Sequence, residues 1–336
     1  MPVTIADVAR RAAVSPGTVS NVLNRPHIVR EATRTRVEAA MAELDFVPNR
    51  QARALAGGLN RSIGLVIHDA ANPFFAQVAD GADDVAVAHG YGLVLTSSRA
   101  SLARQEASLR MFAEQRVSGV LLAPTVDGPT TADRLRQAGI AVVIVDFPGG
   151  ASECSVTVDD VTGGAVAARH LLDLGRRRIA FVGGPHRVRQ HADRLTGVRR
   201  AARDARRTSG AGVSVRVLEV EEHTVEHGRR AGARLAATPG DVDAVVCGND
   251  LLAVGVISEL TGAGVRVPED VAVVGYDDVD LAALVAVPVT SVRQPMAEIG
   301  RAAMRLLLSE LSGDEHVHEH LRFEPELVVR ASTTAG

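Results

Sequence analysis

Three groups of residues have the types and spacing to do chemistry. The first is Ser15-Pro16-Gly17-Thr18-Val19-Ser20-Asn21. A serine oxygen caps a helix start, and proline at the first helical position loses nothing by lacking an N–H. The helix so begun carries short polar side chains, and asparagine is the residue type that bonds adenine N6 and N7 together in a DNA major groove. The second group is scattered but shares one local setting, just beyond a short apolar run. It comprises Asp69 with Asn72, Phe74 and Phe75, Asp146 with Phe147, Arg194 beyond Gly183-Gly184-Pro185, Asn249 with Asp250, and Asp277. Carboxylates and amides around one guanidinium suit a polyhydroxylated molecule, whose hydroxyls both donate and accept. The third group is rich in histidine. His223-Thr224-Val225-Glu226-His227 fits the spacing of a zinc-protease helix, but no third ligand is evident, so neither a metal nor a catalytic residue is expected. His316-Val317-His318-Glu319-His320 alternates and is expected to line one solvated strand face with adventitious metal affinity only.

Two kinds of framework must position these residues. Thr4 and Asp7 have the spacing of a capping box, and Ile5, Val8, Ala9 and Ala12 follow at helical spacing. A break at Ala13-Val14 precedes the Ser15 cap, and a third helix puts Val37, Ala40, Met41 and Leu44 on one face. Helix, tight turn and capped helix make a helix-turn-helix, whose second helix enters the major groove. Val19, Val22 and Leu23 are expected in its core. From residue 62 on, apolar runs at 63–67, 93–95, 120–122, 141–145, 179–182, 213–220, 244–247 and 271–274 alternate with helical stretches such as 75–88, 102–116, 163–174 and 251–262. Such alternation predicts parallel sheets covered on both faces, with ligands held beyond the carboxyl ends of the strands. Eight units exceed what one compact sheet usually holds, so two successive lobes are expected; a closed (β/α)8 barrel would alternate in the same way.

Bulk properties narrow the class. The chain has 336 residues, 46% of them hydrophobic, which suits a small domain plus one or two larger ones. It contains no run of ~20 uninterrupted apolar residues, and no signal peptide precedes the first cap. A cytoplasmic protein without a membrane partner is expected. Two cysteines, Cys154 and Cys247, do not make a disulfide framework. Net charge is −3, yet residues 1–61 hold nine Arg against five Asp and Glu. A basic head on an acidic body fits local phosphate contact without general stickiness. No Gly-x-Gly-x-x-Gly or Walker sequence follows a strand, which weighs against a nucleotide enzyme.

Residues 3–24, 31–57 and 62–75, in this order, resemble the lactose/galactose repressor (LacI–GalR) family, and the similarity runs from Val3 to about Ser332. The resemblance implies an all-α helix-turn-helix head at 1–48 and a hinge helix with linker at 49–61. It also implies an α/β body at 62–336, two-lobed, of the type I periplasmic-binding-protein kind with parallel sheets. Lobe one would be about 62–160 and 291–321, and lobe two about 161–290 and 322–332. The chain would cross between them near 159–162, 288–293 and 319–323.

By the same resemblance, Pro16, Gly17 and Asn21 stand where operator sequence is read, and Ser15, Thr18 and Ser20 are phosphate or secondary contacts. Asn49, Arg50, Ala52, Arg53 and Leu55 belong to the hinge that enters the minor groove, with Leu55 as the apolar wedge. Phe75, Asp146, Arg194, Asn249 and Asp277 match ligand-holding positions, with Asp69 beside them, and His223 stands where some relatives carry an aromatic residue. The chain has no Trp and 3% aromatic residues, so hydrogen bonding is expected to dominate over ring stacking.

The function implied is a sequence-specific regulator, a repressor and not an enzyme, without a cofactor. It would act as a homodimer on a pseudo-palindromic double-stranded DNA operator under control of a small hydroxyl-rich effector such as a carbohydrate. The alternatives are a solute-binding protein, or an α/β sugar or nucleotide enzyme with a DNA-binding-like head. The head opposes the first, and no catalytic constellation supports the second.

Overall fold

The computed structural model describes residues 3–46, 60–125, 130–185, 188–210, 212–313 and 316–334. The hinge residues Asn49, Arg50, Ala52, Arg53 and Leu55 lie outside the described residues. The chain forms two compact units, one from 1–61 with 115–118 and one from 62–114 with 119–336.

The head consists of α1 (Ile5–Arg11), α2 (Pro16–Asn24) and α3 (Glu31–Glu43), with one 3-10 turn at Pro26–Ile28. α1 begins at the capping box: Thr4 N–H donates to Asp7 Oδ2 at 3.0 Å and Asp7 N–H to Thr4 Oγ1 at 3.4 Å. It ends because Ala13 turns left-handed, with φ 51°. Val14 N–H then reaches Ala9 O at 3.0 Å and satisfies a carbonyl of the last turn. α2 starts at once, with Ser15 Oγ accepting from Thr18 N–H at 3.1 Å. Val8, Ala9, Ala12, Val19, Val22, Val37 and Ala40 are buried among the three helices, and each fully buried valine contributes roughly 1.5–3 kcal/mol. Leu23, Met41 and Leu44 pack against that core and are partly exposed.

The body alternates β1 (Ser62–Ile67), α4 (Pro73–Ala88), β2 (Gly92–Ser97), α5 (Leu102–Glu114), β3 (Gly119–Leu122), α6 (Thr130–Gln137), β4 (Ala141–Val145) and β5 (Cys154–Val158). Then follow α7 (Asp160–Asp173), β6 (Arg178–Gly183), α8 (Arg189–Ser209), β7 (Ser214–Glu219), α9 (Val225–Ala236), β8 (Ala244–Cys247), α10 (Asp250–Gly262), β9 (Ala272–Asp277) and α11 (Asp280–Leu284). The last elements are β10 (Thr290–Arg293), α12 (Met296–Leu311), β11 (His320–Phe323) and β12 (Glu326–Val328). They build two six-stranded sheets, ordered β11-β5-β4-β3-β1-β2 and β12-β10-β9-β8-β6-β7. All pairings are parallel except that of β10 with β12. Two open sheets exclude the closed barrel.

Lobe one packs α4 and α12 over its sheet around Ile63, Leu65, Val143, Ile299 and Leu307. Lobe two has a core on each face of its sheet, one around Phe181 and Val198, the other around Val245 and Val256. Cys247 belongs to the second, as an apolar run implies. The chain leaves sheet one after β5 at Asp159. It returns between β10 and α12 at 294–295, and crosses again between β11 and β12 at 324–325. The last two crossings come later than 288–293 and 319–323, because β10 and β11 first complete their pairing with β9 and β5.

Candidate functional site

The residues beyond the strand ends converge. Asp69, Phe75, Asp146, Arg194, His223, Asn249 and Asp277 all line one cavity of about 380 Å³ between the lobes, in the ~300–1,000 Å³ range of small-ligand sites. Parallel topology explains this, because the carboxyl ends of β1, β4, β8 and β9 open onto the same space.

Arg194 is the centre of the site. α7 and α8 approach backbone to backbone: a Cβ on Gly164 would fall 2.0 Å from Arg194 O, and one on Gly197 2.0 Å from Val161 O. Only glycines permit that crossing, which sets the Arg194 side chain beside α7. Arg194 Nε donates to Asp160 Oδ1 at 2.7 Å, and Nη1 donates to Gly248 O at 2.6 Å and stands 4.0 Å from Asp277 Oδ1. The guanidinium lies 3.7 Å from the centre of the Tyr276 ring. It is buried, and pairing keeps it charged: the carboxylates of Asp160 and Asp277 raise its pKa against burial.

One cation cannot neutralise three buried carboxyls. Asp160 takes the close contact with Arg194, while Asp146 and Asp277 are buried with less compensation. Burial, followed by the charge of Asp160, pushes Asp146 up. Burial pushes Asp277 up to about 7, against the pull of Arg194 and the Gln294 hydrogen bond. Both residues hold positive φ, 58° at Asp146 and 103° at Asp277, a conformation that bends the chain at the strand end and turns the side chain into the site. Two amides brace them. Gln190 Nε2 donates to Asp146 Oδ2 at 3.0 Å, and Gln294 Nε2 to Asp277 Oδ1 at 2.7 Å.

Two ring pairs complete the wall. His68 stacks on Phe75 with centroids 5.5 Å apart, and His191 on His223 at 3.8 Å. Burial, then the charge of Arg194, lowers His223 to about 3; burial and His223 lower His191. Both imidazoles are therefore neutral at physiological pH. His191 Nδ1, His223 Nε2 and Gln294 Oε1 are buried yet make no hydrogen bond among the described residues. Asn249 differs from the others, since its amide is already used: Oδ1 caps α10 at Leu252 N–H, 2.9 Å, and Nδ2 donates to His223 O at 3.3 Å. Asp250 is structural, accepting from Ser291 Oγ and Val279 N–H.

Sequence reasoning missed Gln190, His68, His191 and Gln294. Gln190 was findable, one helical turn before Arg194. Gln294 was hidden because β10 was read as a crossing. The zinc-protease spacing at 223–227 does not form a helical pair. α9 begins at Val225, after the Thr224 cap, with His223 in the cavity wall and His227 Nδ1 2.8 Å from Thr224 Oγ1.

On α2, Ser15, Pro16, Gly17 and Asn21 are exposed, and Thr18 and Ser20 half-buried. The hydroxyl of Thr18 is 3.0 Å from Ser15 Oγ, and Ser20 Oγ accepts from Asn24 Nδ2 at 3.2 Å. The Asn21 side chain has no intramolecular partner among the described residues, so both faces of its amide stay available to a base edge.

Residues 4–49 match the model of bacterial regulatory proteins of the lacI family, and residues 168–333 that of the periplasmic binding protein-like domain. An HTH-type transcriptional repressor, PurR, of Photobacterium profundum is 34% identical over 332 residues, covering 98% of each chain. Among solved structures, a complex of the transcriptional regulator CelR with cellobiose is 34% identical with a TM-score of 0.71, covering 98% of this chain and 99% of that one. The lac repressor dimer bound to operator and the anti-inducer ONPF is 27% identical with a TM-score of 0.84, covering all of both chains.

Proposed function

The chain belongs to the lacI family of bacterial regulatory proteins, a DNA-binding transcriptional repressor and not an enzyme, and from that premise we propose that its lobes close on a small hydroxyl-rich effector, a sugar or sugar-like polyol, which resets operator affinity. The observation that carries this reading is the charged and amide cluster around Arg194, with three buried polar atoms that lack a well-formed hydrogen bond among the described residues. An unmade buried hydrogen bond costs about 1–3 kcal/mol, and ligand hydroxyls can make all three. The CelR relative is seen with cellobiose. Arg194 and Asp277 are the anchors, and Asp69, Phe75, Asp146 and His223 line the ligand. Asn249 acts by fixing the His223 backbone.

A flat nitrogen heterocycle is the second reading, favoured by the two stacked ring pairs in the wall. The imidazoles of His68, His191 and His223 add stacking surface beyond that of the few Phe and Tyr residues.

The repressor acts as a homodimer, whose two-fold axis matches a pseudo-palindromic operator. Val94 and Leu95 on the edge strand β2, Val87 of α4 and Leu102 of α5 are exposed apolar side chains of lobe one that a partner can cover. Leu55 wedges the central base step, with Asn49, Arg50, Ala52 and Arg53 on the minor-groove backbone. A stable monomer in light scattering at micromolar concentration refutes the dimer.

A thermal-shift screen of the full chain separates the two effectors: sugars and polyols on one side, nucleosides and bases on the other. The hit is then titrated against operator binding. Arg194→Lys keeps a cation for Asp160 but loses the planar fork, and is expected to weaken the effector response at least tenfold while operator binding without effector is kept. An unchanged response places the ligand elsewhere.

A further inference from the structure

The histidine run at 316–320 is largely exposed, as expected, but does not form one strand face. β11 starts only at His320, whose Nδ1 lies 2.8 Å from Ser155 Oγ. His316 and His318 precede the strand and fold onto Cys154, the first residue of β5. His316 Nε2 is 3.1 Å and His318 Nδ1 3.7 Å from Cys154 Sγ. Glu310, in the last turn of α12, joins them, and the four donor atoms lie within 4.8 Å of one another. Glu310 Oε2 is buried with no hydrogen-bond partner among the described residues.

We propose that Cys154, Glu310, His316 and His318 form a structural zinc site that fastens the end of α12 to the start of β5 and β11. Donors placed tetrahedrally on zinc, at ~2.0–2.3 Å from the metal, stand roughly 3.3–3.6 Å apart, and the sulfur–nitrogen separations bracket that spacing. One thiolate and one carboxylate cancel the double positive charge, which suits a half-buried site. Zinc takes the thiolate, so the Cys154 proton leaves to solvent as the bond forms.

Outer contacts that orient ligands are also in place. Ser309 Oγ stands 3.2 Å from His316 Nδ1, leaving Nε2 to the metal, and Glu319 N–H donates to Cys154 Sγ at 3.4 Å. Four protein donors close the coordination shell, the mark of a structural rather than catalytic zinc. Cys154 stands at the amino end of its strand and the effector cavity at the carboxyl ends, so the two sites occupy opposite ends of one parallel sheet.

The test uses the full chain without an affinity tag, stripped by chelator and titrated with cobalt(II), then zinc(II). The site predicts one cobalt per chain, with a thiolate-to-cobalt charge-transfer band and the intense visible absorption of tetrahedral cobalt. Cys154→Ser removes the charge-transfer band. His318→Ala, at an exposed position, weakens binding at least about tenfold and abolishes the rise in melting temperature that zinc gives the parent. His320→Ala, outside the four donors, leaves both unchanged. A pale octahedral spectrum, no stoichiometric uptake, or equal affinity in the parent and His318→Ala overturns the site.

Discussion

Replacing Asp277 by Asn should change how stability depends on pH, in a direction and amount set by the site. The Asp277 carboxyl titrates near 7 in the folded chain because burial outweighs the help of Arg194 and Gln294. Unfolded, it titrates near the usual ~3.9. Between those values the folded state keeps a proton that the unfolded state has released, so the Asp277 contribution is fully present below pH ~4 and is lost as pH rises through 7. About three pKa units at 1.36 kcal/mol each bound the loss at ~4 kcal/mol. Asn stands in for the neutral acid. It still accepts from Gln294, and it tolerates positive φ better than most residues.

The slope of the parent alone is not diagnostic. His223, lowered to about 3, and Asp270, lowered to about 2, both bind more protons when unfolded and so tilt stability upward with pH over their own ranges. Those contributions are common to both proteins and cancel in the difference; Asp146 and Asp250, which the Asp277 charge helps push up, are relieved in Asp277→Asn and move the difference the same way. With no Trp and two Tyr, denaturant unfolding is followed by far-UV circular dichroism at several pH values between about 4.5 and 8. Asp277→Asn should gain on the parent steadily as pH rises and be the more stable protein at the alkaline end. Parallel curves, or an Asn variant that loses ground with rising pH, would refute the claim that Asp277 is held neutral by burial.

Three further outcomes follow from the head and the helix crossing. Asn21→Ala should cost operator affinity by ~1–3 kcal/mol with no loss of thermal stability, since its side chain has no partner among the described residues; anisotropy titration on operator and random DNA checks it, and equal losses on both would deny base reading. Leu55→Ala should weaken operator binding far more than non-specific binding, because a wedge acts only where the central step can kink; equal losses would remove the wedge. Gly164→Ala sets a methyl against Arg194 O, a backbone atom that cannot step aside, and should cost roughly 1–3 kcal/mol or more, read as a lowered melting temperature together with a weakened effector response. An unchanged melting temperature would mean that α7 and α8 do not cross as closely as described.

Much of this architecture is written locally. The Thr4–Asp7 box and the Ser15-Pro16 start state helix boundaries through hydrogen bonds made within four residues, so they are legible without tertiary information. Buried central strands such as β4 and β8 are uniformly apolar, and Asp146, directly after β4, and Asn249, two residues after β8, were traceable to the cavity. Of the edge strands, β2 and β7 show as the apolar runs at 93–95 and 213–220, whereas β11 and β12 were not legible. β11, His-Leu-Arg-Phe, and β12, Glu-Leu-Val, are short and partly solvated, so their pairing is decided by partners more than a hundred residues away in the case of β11 and β5. The same distance hid the Cys154 cluster, since no spacing rule links 154 to 316. Asn249 teaches the converse: a polar residue at the right strand end was correctly placed, yet its amide is consumed by a cap.

The site residues and the interlobe crossings are bound to each other, and that determines how a ligand can act. Asp160, the close partner of Arg194, directly follows the first crossing at Asp159. Gln294, which braces Asp277, is itself part of the second crossing. Arg322, just before the third, pairs with Asp159. A ligand that competes for Arg194 or Asp277 therefore exchanges hydrogen bonds with the segments about which the lobes turn. Linkage allows it to shift operator affinity only by the difference in its binding to the two lobe arrangements. Arg194 Nε and Nη1 already have Asp160 and Gly248 as partners, so a ligand anchored on Arg194 gains least by displacing those bonds and most by adding bonds to Gln294 Oε1, His191 Nδ1 and His223 Nε2, which lack a well-formed hydrogen bond among the described residues. His191 and His223 belong to lobe two, and Gln294 to the crossing itself. On the proposed reading, lobe two holds the ligand first and closure draws its free energy from what Asp69, Phe75 and Asp146 of lobe one then add.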